Sequence, residues 1–130
     1  MPRQYIKGER EESRAYSRAV ITHGGTAIFL AGVTGGFDAN GNSLAGDFEA
    51  QVHRTFENLR TNVEAAGGTL EDIVTMTVFI TEMRYGDRFT EMRRDYFKRG
   101  YPGSALIGVE CLARPEMLLE IQAIAVIGDD

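Results

Sequence analysis

Between Asp47 and Pro102 the apolar residues of this chain change their period twice. Phe48, Val52, Phe56, Leu59, Val63 and Ala66 recur at steps of three and four, the stripe of an amphipathic helix, with Asp47 placed as its N-cap and Gly67-Gly68 as its end. Val74, Met76, Val78 and Ile80 then alternate with Thr75, Thr77, Phe79 and Thr81, the period of a strand. Tyr85, Phe89, Met92 and Tyr96 return to the helical step before Gly100 and Pro102 close the segment. Each stripe has to be covered by another element, so a chain that reads helix, strand, helix here must lay its helices on a sheet.

The flanks supply the rest of that sheet. Ala19 to Thr22 and Ala27 to Ala31 are short apolar runs around His23-Gly24-Gly25 and read as a β-hairpin with a glycine turn. Ala105 to Val109 and Leu118 to Ile127 read as two further strands, separated by a loop that carries Arg114-Pro115. The order ββαβαββ predicts a two-layer α+β domain, with a mixed sheet on one side and two helices on the other. No repeat, low-complexity tract or linker divides residues 1–130, which read as one domain with residues 1–13 loosely held. A chain of 130 residues buries roughly two-thirds of its unfolded surface, enough for one core and little room for a deep pocket of its own.

Composition excludes several functions. With 19 acidic against 14 basic side chains, the net charge of -5 argues against a nucleic-acid footprint. No apolar run reaches the roughly 18 residues of a membrane span, and Met1 to Ser13 is too polar for a signal peptide. A single cysteine, Cys111, leaves no intrachain disulfide and suits a reducing cytoplasm. His23 and His53 lack partners at zinc spacing, so no metal site is expected, and His53 reads as a helix-boundary residue. Gly32-Val33-Thr34-Gly35-Gly36 does not open a helix directly and reads as a tight loop rather than a phosphate cradle. Cys111 has Glu110 beside it, which disfavours a thiolate, and reads as structural. Arg93, Arg94, Lys98 and Arg99 read as the solvated face of the second helix.

Glu120 stands apart. It lies inside the apolar run Leu118 to Val126, and strand alternation puts Glu120 and Gln122 on one face and Leu119, Ile121 and Ala123 on the other. A carboxylate in that setting is partnered, exposed on an open sheet face, or raised in pKa and used as an acid or base in a cleft.

Together, the ββαβαββ order, Ile73 to Ile80, the helix ending in Asp95-Tyr96-Phe97, and the stretch from Pro102-Gly103-Ser104-Ala105 through Leu119-Glu120-Ile121 resemble the RidA/YjgF family of enamine and imine deaminases. The resemblance runs from about Tyr16 to Val126. It implies a chorismate-mutase-like cytoplasmic homotrimer with small-molecule clefts between subunits, no cofactor, and hydrolysis of a reactive 2-imino acid, the tautomer of an enamine, to a 2-keto acid and ammonia. By that resemblance Glu120 activates the attacking water. Tyr16 lines or closes the cleft, and the N–H of Gly32 or Val33 holds a substrate oxygen.

Three positions depart from the family pattern. Ser104 stands where an arginine clamps the substrate carboxylate, Ala31 where a cleft serine stands, and Thr90 where the second helix carries an asparagine. Losing the arginine costs on the order of ten- to a hundred-fold in carboxylate affinity, and Arg88, Arg93 or Arg114 could supply the charge instead. Chains without that arginine resemble divergent branches, some acting on aminomuconate-type enamines in degradative pathways. The alternative reading is a trimer that binds a small ligand or a partner without catalysis.

Overall fold

The computed structural model describes residues 2–129. Nine regular elements follow in order: β1 (Gln4–Ile6), α1 (Glu9–Ser13), β2 (Ala19–Ile21), β3 (Thr26–Phe29), α2 (Phe48–Ala65), β4 (Ile73–Ile80), α3 (Gly86–Arg93), β5 (Gly103–Gly108) and β6 (Leu119–Ile127). Single 3₁₀ turns lie at Leu70–Asp72, Met83–Tyr85 and Arg94–Tyr96. The main sheet runs β3-β6-β4-β5, antiparallel except for the β4–β5 pair. The expected α+β class is the observed one.

The helical stripe is the core. Val52, Phe56, Leu59 and Val63 of α2 are fully enclosed, and they meet Met76, Val78 and Ile80 of β4 and Leu119, Ile121 and Ala123 of β6. Phe56 stacks on Tyr96 with ring centroids 4.1 Å apart and lies near Phe89 of α3. Asp47 caps α2 by accepting from the Ala50 N–H at 3.1 Å, and Gly67 ends it at φ 95°, in the left-handed region that glycine enters without strain.

One polar residue shares that face. Gln51, also fully enclosed, donates from Nε2 to the carbonyls of Leu44 and Glu116, and its Oε1 accepts from the Leu118 N–H at 2.9 Å. It thereby ties the long glycine-rich loop and the entry to β6 onto α2.

Two expectations fail at the N-terminus. The runs on either side of His23 do not form a hairpin. β2 pairs with β1, Val20 opposite Tyr5, while β3 pairs with β6, Ile28 opposite Ala125. The turn is still tight, with Gly24 and Gly25 at positive φ, but its two arms enter different sheets. The cause is the segment up to Ser13, expected to be loose, which supplies β1 and α1. Arg3 anchors it: the buried guanidinium donates to Asp129 at 2.8 and 3.0 Å and to the carbonyls of Glu71 and Val126. That contact holds the Asp129 carboxyl below its ordinary range. Ala15 at φ 58° then turns the chain so that Ser17 bridges to Gly103, which brings Tyr16 beside the end of α3.

Candidate active site

Helices cover one face of the main sheet and leave the other open. Directly opposed residues share a face, so the pairs Glu120–Phe79 and Phe79–Ile107 put Glu120 on the open side, opposite in parity to the buried Met76, Val78 and Ile121. There the Glu120 side chain is half-buried, and among the described residues nothing donates to its carboxylate.

Its neighbour is Gly32, and the contact comes from a break in pairing. Phe29 lies opposite Ile124 and Leu30 donates to the Ala123 carbonyl, but Val33 pairs with Ile121. Four steps along one strand thus match three along the other. The extra residue is a β-bulge at Ala31-Gly32, a device that re-aims groups and leaves one backbone N–H without a ladder partner. Val33 N–H is spent on the Ile121 carbonyl at 2.9 Å, which removes it as a ligand for a substrate oxygen. The Gly32 N–H has no acceptor among the described residues, so only one of the two expected donors is free. A Cβ on Gly32 would lie 2.9 Å from Glu120 Cδ and closer still to a carboxylate oxygen. Glycine is therefore what lets the carboxylate lie over the bulge.

Tyr16, Thr90 and Ser104 come together elsewhere. Ser104 is opposite Met76, so it faces the helix layer, not the open face. With Arg14, Arg93 and Leu106 these three line a cavity of about 180 Å³ at the edge strand β5. Thr90 is buried and donates its hydroxyl to the Asp87 carbonyl at 2.8 Å.

Arg93, read as solvated, is only 2% exposed. It lies four residues after Phe89, on the buried side of α3, and its guanidinium reaches across to β5. Its Nη1 donates to Ser104 Oγ at 2.8 Å and its Nη2 to the Arg14 carbonyl at 2.7 Å. Burial, with Arg14 adding to it, pulls its pKa down to about 10.

Other candidates stand apart from both groups. Arg88 is exposed and paired with Glu49 and Glu91 at the rim of a wide hollow of about 750 Å³ beside Phe48 and Tyr85. Arg114 and Cys111 line a different hollow on the loop after β5. Cys111 is exposed, because β5 ends at Gly108 and leaves it outside the core, so it is not a packing residue. His53 makes a hydrogen-bonding contact with the Tyr96 hydroxyl. Among the described residues no cluster of His, Cys, Asp or Glu has metal-binding geometry, and no helix is long and apolar enough to cross a membrane.

Comparison with known proteins agrees with the fold. A model of the Endoribonuclease L-PSP family matches residues 9–127. A RutC family protein of Pyrococcus horikoshii is 31% identical over 110 residues, 85% of this chain and 85% of its own. Among solved structures, the conserved Rid family protein YyfB from Yersinia pestis aligns at a TM-score of 0.85 and 26% identity, covering 98% of this chain and 100% of its own. RidA from the Antarctic bacterium Psychrobacter sp. PAMC 21119 aligns at 0.72 and 30% identity, covering 95% and 99%. A family model spanning nearly the whole chain, with relatives matched over most of their own length, means that this chain belongs to the RidA/YjgF family.

Proposed function

We propose that the chain is a cofactor-free hydrolase that releases ammonia from a small enamine or imine, an aminomuconate-type intermediate among the candidates, at a cleft between copies in a homotrimer. The observation that carries this reading is an unpartnered, half-buried carboxylate, Glu120, lying over the bulge whose Gly32 N–H is unpaired.

The chemistry follows from those two groups. Glu120 accepts a proton from water as the water oxygen adds to the imine carbon, and then passes the proton to nitrogen. In the resulting carbinolamine the same carboxylate takes the hydroxyl proton and delivers it to the amino nitrogen as the C–N bond breaks, so that ammonia leaves, a carbonyl compound remains and Glu120 is again ionised. Gly32 N–H donates to a substrate oxygen and fixes the carbon against the water.

The second cluster, around Arg93 and Ser104, opens on the other face of the same sheet, so within one chain it does not adjoin Glu120. A cleft joining them needs two copies. The open face supports such an assembly, since it carries Phe29, 78% exposed, and Ile107, 40% exposed, on its two outer strands.

The test is Glu120→Gln. The variant is expected to keep its fold and assembly and to lose on the order of a hundred-fold or more in ammonia release from imines and enamines generated in situ. Full activity would show that Glu120 is not the base. Saturable binding across the panel with no ammonia released by the unmodified protein would instead identify a ligand-binding member of the family.

A further inference from the structure

One residue other than glycine takes a left-handed backbone among the described residues: Ala15, at φ 58° and with no exposed surface. A Cβ disfavours that conformation by roughly five- to thirtyfold in population, so the surroundings of Ala15 must impose it.

Ala15 follows the C-cap of α1, the place where helices prefer glycine. Two backbone bonds close the helix there, from Ala15 N–H to the Glu12 carbonyl and from Tyr16 N–H to the Glu11 carbonyl. They leave the Ser13 and Arg14 carbonyls over, and two adjacent arginines at the end of α3 take these. Arg94, read as solvated, is half-buried. Its Nη2 donates to the Ser13 carbonyl at 2.7 Å and to that of Glu12 at 3.1 Å, and its Nη1 to the Tyr101 hydroxyl at 3.0 Å. Arg93 Nη2 takes the Arg14 carbonyl. On the other side of Tyr16, Ser17 donates from its hydroxyl to the Tyr101 carbonyl and from its N–H to that of Pro102.

We infer that Arg94 is a positioning residue for Tyr16: by holding the last carbonyls of α1 it imposes the left-handed turn at Ala15, and the turn aims the Tyr16 ring at Arg93. The ring centre lies 5.9 Å from the Arg93 guanidinium carbon. One reversed φ redirects the whole chain after it, so the place of the ring depends on Ala15 staying left-handed. Arg94 itself stands outside the cavity that Arg14, Tyr16 and Arg93 line, and both its Nη groups are spent on protein oxygens. Its charge therefore serves the fold of this segment and not a ligand. For its effect on turnover the inference rests on the deaminase reading; for the place of the ring it does not.

The test uses the intact protein labelled with 3-fluorotyrosine, in which the Tyr16 ¹⁹F signal is the one that Tyr16→Phe removes. Arg94→Gln is expected to move or broaden that signal. Adding Ala15→Gly should bring it back, because glycine enters the turn without help. Ammonia release should follow the same course, with kcat/KM at least about tenfold lower in Arg94→Gln and recovered about fivefold or more in A15G/R94Q. On a Tyr16→Ala background Arg94→Gln should cost less than about twofold, since the ring it places is gone. Arg94→Met, which keeps the aliphatic stem, carries the same expectations should the glutamine variant not fold. An unmoved signal, no return in the double variant, or an undiminished further loss on the Tyr16→Ala background would overturn the inference. So would turnover that ignores a displaced Tyr16. A signal that leaves and returns while the unmodified protein releases no ammonia from any imine or enamine would sink the deaminase reading alone.

Discussion

Gly32 is the residue on which the proposed chemistry turns, because it does two things at once. Its N–H is left unpaired by the bulge, and its missing side chain leaves room for the Glu120 carboxylate. Gly32→Ala should therefore separate catalysis from stability. The backbone there is not in the left-handed region, so alanine introduces no φ strain, and a melting curve should shift by less than about 1 kcal/mol in stability. Its methyl group would instead displace the carboxylate, and kcat for ammonia release should fall at least about tenfold. Undiminished kcat would mean that the carboxylate works from another position. Glu120 was legible in the sequence because a charge in an apolar strand breaks the pattern. The spent N–H of Val33 was not, since a bulge is defined by pairing with a strand some ninety residues away.

At the scale of elements, the residues that sequence reading missed or misplaced are polar side chains occupying stripe positions. Gln51 lies three residues after Phe48, and Arg93 lies four after Phe89; both are enclosed, and both reach across to another segment. A stripe read only for its apolar members misses them, although their spacing is the signal. Gln51→Leu tests the stronger case. It keeps the bulk but leaves the Glu116 carbonyl and the Leu118 N–H without partners at the entrance to β6, while the Leu44 carbonyl keeps the Asp47 N–H. The expected loss is about 3 kcal/mol, read as a lower urea midpoint at unchanged slope. A loss under about 1 kcal/mol would show that water takes over those groups. The failed hairpin has the same root as the missed bulge. Periodicity locates β2 and β3 but cannot say that β2 is claimed by a three-residue strand from a polar N-terminal segment.

For the whole molecule the decisive feature is that Glu120 and Arg93 lie on opposite sides of one sheet. A chain of 130 residues has little room for a private pocket, and the opposite placement of the two groups fits the proposed cleft between copies. If the proposed cleft takes Glu120 from one copy and Arg93 from the next, two impaired variants should repair each other. Denatured and co-refolded Glu120→Gln and Arg93→Gln chains in equal amounts assemble at random. A cleft is intact only when its Glu120 half comes from the Arg93 variant, one chance in two, and its Arg93 half from the Glu120 variant, again one in two. About one quarter of the clefts should then work, and ammonia release should recover to about a quarter of that of the unmodified protein, while each variant refolded alone keeps only its own lowered rate. A site contained within one chain predicts no recovery at any ratio, because every chain in the mixture carries one of the two defects.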